Sequence, residues 1–203
     1  MKTSQNIIAI QMAAALLMPL GLFAQQKSAS NGMTQEQLEL KALGVVELTP
    51  QDAAFVGHKI QLGENKGKSI IYYWSGVESY PCWLQHFTSG NYRVELKYSL
   101  VGANNSKVAI TVGGKTFPPV ELEPTGTWDK FKNVLLCVVD FSREEKVEVV
   151  FRGIDKGKNT CFCNIQTIWF CPPNAPSMLT PPAPPKVDDK GKAVAPSIKT
   201  TAL

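Results

Sequence analysis

An all-β domain packed as a two-sheet sandwich is what this 203-residue sequence predicts. Three observations lead there. Roughly eight or nine short runs are rich in β-branched and aromatic residues, with turn residues recurring at intervals of about ten residues. No long helical pattern separates these runs. The clearest run, Gly90-Asn91-Tyr92-Arg93-Val94-Glu95-Leu96-Lys97-Tyr98-Ser99-Leu100, puts Tyr92, Val94, Leu96, Tyr98 and Leu100 on one side and Asn91, Arg93, Glu95 and Lys97 on the other. That period of two marks a strand with one dry face and one wet face.

The two ends fall outside this pattern. Residues 1–24 read as a secretory signal, with Lys2 at the start, an apolar run over residues 7–22, and Ala24 before Gln25-Gln26. A membrane anchor is the competing reading, but Pro19 and Gly21 break a run already short of the roughly 20 apolar residues a spanning helix needs. The mature chain is therefore expected to begin at or near Gln25. It is expected to be secreted or periplasmic, and to have no membrane attachment after cleavage. Residues 172–203 are rich in Pro, Ala, Lys and Ser, with Pro181-Pro182-Ala183-Pro184-Pro185 at their centre. Such a segment has little apolar surface to bury and reads as a disordered tail. Between the ends stand a lead-in over residues 25–44 and one domain over residues 45–171.

In order along the chain, Thr34 begins a short helix over residues 34–42, with Gln37 completing a capping box and Gly44 ending it. Val45-Val46-Glu47-Leu48 is a short strand stopped at Pro50. Residues 51–57 hold a turn, Lys59-Ile60-Gln61-Leu62 is a strand, and residues 63–68 read as a polar loop. Ser69-Ile70-Ile71-Tyr72-Tyr73-Trp74 is a strand closed by Ser75-Gly76. Residues 80–87 follow, with Pro81 marking a strand start or a sheet edge. After the organising strand, residues 107–112 alternate again and Gly113-Gly114 makes a turn. Phe117-Pro118-Pro119 is an irregular link. Residues 134–141 lack alternation over 135–139, which suits a strand covered on both faces. Residues 146–152 alternate, residues 153–159 form a polar loop, and residues 161–170 close the domain.

The formal charge is +4, with Lys and Arg scattered among acidic residues. A nucleic-acid partner would need those cations clustered on one face. The five cysteines are Cys82, Cys137, Cys161, Cys163 and Cys171. In an exported chain they are disulfide candidates, and an odd count leaves one over. At least one bridge is expected from Cys161, Cys163 or Cys171 to Cys82 or Cys137. Only His58 and His86 could join a cysteine metal site, and neither has zinc-ligand spacing. No His stands in a catalytic motif, Glu144-Glu145 reads as a solvated turn, and no Gly-rich phosphate loop appears. The sequence therefore reads as non-catalytic.

Several motifs in fixed order carry a resemblance. They are Leu48-Thr49-Pro50-Gln51-Asp52-Ala53, Trp74, Tyr80-Pro81-Cys82-Trp83, Gly90-Asn91-Tyr92-Arg93-Val94, Thr125-Gly126-Thr127-Trp128-Asp129-Lys130-Phe131 and Asn164-Ile165-Gln166-Thr167-Ile168. Together they resemble the galactose-binding-like jelly rolls, especially carbohydrate-binding modules of the family-6 type and related domains appended to bacterial sulfatases and glycosidases. The resemblance covers residues 45–171. It implies a jelly-roll sandwich with a ligand cleft at the loop end, where an aromatic pair and an Asn grip a sugar. Trp128 and Asn164 match those motif positions, and Tyr73 and Trp74 match by their place at a strand end. Family-6 modules often hold a structural calcium with two carboxylates on the first strand. Here Glu47 stands alone and the closing strand lacks an Asp, so no cofactor is expected. Cys137 stands where such modules usually carry Gly.

Each candidate also has a plain structural reading. Trp83 and Trp169, inside strands, are core residues. Trp128 could plug the core beneath the turn at Gly126, and Asn164 could satisfy backbone groups at a strand edge. The expected partner is a glycan, with a second envelope protein on the same fold as the alternative.

Overall fold

A computed structural model describes residues 33–179; the expected signal sequence and residues 180–203 of the tail lie outside the described residues. Helix α1 (Gln35–Ala42) starts at Thr34, whose hydroxyl accepts from the Gln37 N–H while the Gln37 side chain accepts from the Thr34 N–H. Gly44 follows at φ +79°. Among the described residues no helix is long and apolar enough to cross a membrane.

Among the described residues twelve strands form two antiparallel sheets. Sheet A has the order β10 (Lys132–Phe141), β6 (Gly90–Ser99), β12 (Asn164–Cys171), β4 (Lys68–Tyr72), β3 (Gln61–Asn65), with β1 (Val46–Leu48) also pairing to β12. Sheet B has the order β2 (Ala54–Val56), β5 (Tyr80–Phe87), β11 (Glu145–Asp155), β7 (Ser106–Val112), β8 (Lys115–Thr116), with β9 (Val120–Leu122) also on β7. The dry side of β6 turns inward, and Tyr92, Val94, Leu96 and Tyr98 meet Val108, Ile110, Val149 and Phe151 of sheet B in one buried core. Phe87 of sheet B lies 4.6 Å from both Phe141 and Phe170 of sheet A, centroid to centroid.

The chain changes sheet repeatedly, and the register puts five of those crossings at one end. They are residues 57–60, 73–79, 100–105, 123–131 and 156–163. Hydrogen bonds stitch this loop end together. The Phe162 N–H donates to Trp74 O at 2.8 Å, the Asn159 amide donates to Asn104 O at 2.6 Å, and the Thr125 N–H donates to Leu100 O at 2.8 Å.

Several expectations need correction. Residues 63–68 are not a loop but the tip of the β3–β4 hairpin. Lys66 and Gly67 both have positive φ, at 51° and 75°, which is the two-residue turn that matches strand twist. Phe117-Pro118-Pro119 is irregular as expected, but it links two unexpected short strands, β8 and β9. Strand β10 is not covered on both faces. It is the edge of sheet A, and Leu135 and Val138 are exposed. A bulge between Leu135 and Cys137 breaks its alternation, so its apolar run reflects an inserted residue and not double burial.

The expected disulfide does not form, and all five cysteines are unbridged. Cys137 and Cys163 both pack in the inner core and are nonetheless free, while other expected pairs are separated by the faces. Cys137 packs toward the inner core from β10, whereas Cys171 lies two strands away in the outer cluster with Trp169. Cys82 alternates with inward Trp83 and sits on the outside of sheet B.

Residues 172–179, expected to begin a disordered tail, are ordered. They turn back over the outer face of sheet A, where Ala175 and Met178 pack beside Val45, Trp169 and Cys171.

Candidate functional site

The loop end carries all four sequence candidates, but in two different layers. Backbone pairing sets Asn164 opposite Ser99, and Ile165 beside both Tyr98 and Ile71. Tyr72 and Ser99 therefore end their strands beside Asn164. Tyr73 follows directly, and the Ser99 hydroxyl donates to the Trp128 carbonyl at 3.0 Å.

Tyr73 is 61 % exposed and has φ +50°, a left-handed conformation that a bulky residue rarely adopts. Its neighbours hold it there. Trp74 N–H of the indole donates to Ser79 O at 2.5 Å, Trp74 O accepts from Phe162, and the Ser75 N–H donates to Lys59 O at 3.0 Å. The Tyr72 ring lies 4.6 Å from the Tyr73 ring, centroid to centroid. Backbone strain held by a rigid surround is found disproportionately at binding sites.

Trp128 is 37 % exposed. The loop that carries it is fixed from three sides. The Asn65 amide donates to Trp128 O at 3.0 Å, beside the Ser99 hydroxyl on the same atom, so the tip of the β3–β4 hairpin reaches the outer side of β6 at Ser99. Lys66 pairs with Asp129 at 2.8 Å, and Thr127 donates to Asp129 at 2.5 Å. Thr125 exchanges hydrogen bonds with the backbone of Leu100, at 3.0 and 3.1 Å. The Lys66 hydrogen bond, then the Thr127 hydroxyl, bring the Asp129 carboxyl down to about 2.

The other two candidates lie beneath the surface. Trp74 is 0 % exposed and packs on Phe151 and Phe162, with centroids 5.7 and 5.0 Å away. The reading of Trp74 as a stacking platform is therefore corrected: it plugs the core, because the positive φ of Tyr73 turns the next side chain inward. Asn164 is 7 % exposed and lies under the loops instead of facing solvent. Trp83 and Trp169 are buried, as expected.

Residues that sequence reasoning missed are those that hold Trp128: Asn65, Lys66, Ser99 and Asp129. The one signal for them was the Lys66-Gly67 pair between two strands, which fits a hairpin turn. The remaining chemistry is sparse. His86 pairs with Glu144 at 3.1 Å, both well exposed, at the end opposite the loops. Among the described residues no group of three or more His, Cys, Asp or Glu could hold a metal ion. The Glu47 carboxylate instead accepts from Gln37 at 3.0 Å and from the Thr167 hydroxyl at 3.2 Å. Two donors aimed at that carboxylate do not fit a calcium ion.

The strand order and sheet crossings define a galactose-binding-like jelly roll, the fold of carbohydrate-binding modules of families 6 and 35. A family 35 carbohydrate-binding module from Clostridium thermocellum is 20 % identical, with a TM-score of 0.52, and the match covers 62 % of this chain and 96 % of the module. The C-terminal family 6 module of LamC, a marine laminarinase from Zobellia galactanivorans, is 16 % identical at a TM-score of 0.52, covering 63 % of this chain and 98 % of the module. The Cry4Aa mosquito-larvicidal toxin from Bacillus thuringiensis also contains the fold, at 14 % identity and a TM-score of 0.53, with 64 % of this chain matching 24 % of the toxin. No protein-family model and no curated protein matches the chain.

Proposed function

We propose that this chain is a secreted or periplasmic, non-catalytic carbohydrate-binding domain that stacks a sugar on Tyr73 and Trp128 at the loop end. The observation that carries the reading is Tyr73, a large aromatic held well exposed in a strained conformation beside the strand ends that anchor the Trp128 loop. Sugars present flat C–H faces and rings of hydroxyls. An exposed ring takes the first, and amide and hydroxyl groups that donate and accept take the second. Asn164 serves under the platform, opposite Ser99, not as a direct contact. The modules that share the fold are carbohydrate-binding by name, which agrees with this reading.

A glycan array on the mature chain, followed by calorimetry on a hit, tests it. Tyr73→Ala and Trp128→Ala should each weaken binding at least about tenfold, equivalent to about 1.4 kcal/mol, while the protein stays folded. Undiminished binding in the folded double variant removes the site. A broad array with no hit removes the function. Intact-mass analysis of the exported protein should find a start at or near Gln25, and retention of residues 1–24 would refute export by cleavage.

A further inference from the structure

The outer face of sheet A is lined differently from a surface covered for stability alone. Glu95 is fully buried there, with Arg93 beside it at 3.2 Å. Both charges reach the backbone of residues 175–178. The Arg93 guanidinium Nη2 donates to Ala175 O at 3.0 Å and to Pro176 O at 3.4 Å. The Met178 N–H donates to Glu95 Oε2 at 2.7 Å, and the Ser177 hydroxyl donates to Glu95 Oε1 at 3.4 Å. The Asn133 amide donates to Met178 O. A purely structural cover would be apolar, because burying a carboxylate and a guanidinium is costly and repaid only by good geometry. Here that geometry reads peptide main chain, the sequence-tolerant part of extended-peptide recognition.

A second, independent observation points to a ligand. Trp169 sits in the same outer cluster, 8 % exposed, and its indole N–H has no hydrogen-bond partner among the described residues. An unmet buried donor costs more than a made bond returns. Residues 172–179 thus satisfy the two charges and leave the indole unsatisfied. They fill the face but complement it incompletely. When they leave, Arg93 and Glu95 regain water.

We propose that the outer face of sheet A is a docking site for an extended, proline-punctuated peptide of a partner protein, and that residues 172–179 occupy it in cis until displaced. The peptide it fits offers adjacent carbonyls to Arg93, an N–H to Glu95 and small or flexible apolar side chains where Ala175 and Met178 sit. It also carries the acceptor for the Trp169 indole that the resident segment lacks. This proposal does not depend on sugar binding at the loop end.

The test uses the full chain and a labelled peptide of residues 172–179, Pro-Pro-Asn-Ala-Pro-Ser-Met-Leu, read by fluorescence anisotropy. In the unmodified chain the resident segment competes at an effective concentration of order millimolar. Ala175→Asp with Met178→Asp weakens only that competitor and should tighten peptide binding at least about tenfold. Adding Arg93→Met should abolish it. A folded double variant that binds no better than the unmodified chain, or binding indifferent to Arg93→Met, overturns the proposal. If the double variant fails to fold, hydrogen exchange on the unmodified chain decides. The Met178 amide should exchange by local opening at least about tenfold faster than the amides of β12, and equal protection overturns the proposal. A dimer of the unmodified chain formed by exchanging this segment, seen by light scattering, would make a second copy the occupant and overturn the assignment to a partner protein.

Discussion

Replacing Trp74 with alanine separates the core from the binding surface. The indole is wholly buried between Phe151 and Phe162, and its N–H meets the Ser79 carbonyl. Removing a buried Trp leaves a cavity that neighbours fill only in part, at about 3–5 kcal/mol. The Ser79 carbonyl loses its donor as well, so the upper half of that range, about 4–5 kcal/mol, is expected. Whole-domain stability is of order 5–15 kcal/mol, so this one change removes a large fraction of it. At roughly 2–4 °C per kcal/mol for a chain of this size, the melting temperature should fall by about 8–20 °C. Trp74→Phe keeps the ring packing and loses the hydrogen bond, so it should cost less. Urea titration and thermal melts of Trp74→Ala, Trp74→Phe and Trp128→Ala give the ranking. Trp128 is partly exposed, and its alanine variant should stay within about 1 kcal/mol of the parent. A Trp74→Ala loss below about 1 kcal/mol, or a larger loss at Trp128 than at Trp74, would refute the division into plug and platform.

Other consequences can be measured separately. Gly57→Ala should destabilise by more than about 1 kcal/mol, because Gly57 sits at φ +84° and a Cβ there would stand 2.8 Å from the Ser79 Cα; an unchanged urea midpoint would contradict the close approach. Alkylation under denaturing, non-reducing conditions should modify all five cysteines, and a mass accounting for three or fewer labels would mean that a bridge forms. In the native protein, burial pushes the Cys137 thiol up to about 12 and the Cys171 thiol up to about 11, so alkylation near neutral pH should be slow at both; rapid labelling of either would contradict its burial. The Asp129 carboxyl should titrate in the folded chain near about 2, below its ordinary 3.8. Its depressed value means that its contribution is present above pH 3.8 and lost as the pH falls through about 2. Lys66→Met should move an NMR titration midpoint upward, and no movement would rule out Lys66 as the main cause.

Much of the fold was legible because strands with one covered face record that fact locally. The Gly113-Gly114 turn, the Thr34–Gln37 capping box and the inward side of residues 90–100 each depend on neighbours a few residues away and stand as read. The side of residues 90–100 expected to be wet is not wet along its length, because Glu95 and Ser99 are fully buried and residues 175–178 cover Arg93 and Glu95. Residues 134–141 were misread because an inserted bulge residue and a doubly covered strand leave the same apolar run. Only long-range packing tells them apart.

The sequence by itself determined that two sheets would form, each with one face turned inward, and that aromatics would collect near strand ends. The tertiary structure decided which aromatic faces water. Tyr73 and Trp74 are adjacent and chemically alike to a sequence reader, yet the positive φ at Tyr73 and the Ser79 and Phe162 contacts send one ring outward and the other into the core. It also decided that the five cysteines stay free, and that residues 172–179 fold back onto Arg93 and Glu95. The physical reason is common to all three. Alternation encodes that a strand has two sides, but what covers each side is set by segments distant in the chain, through contacts that leave no local period.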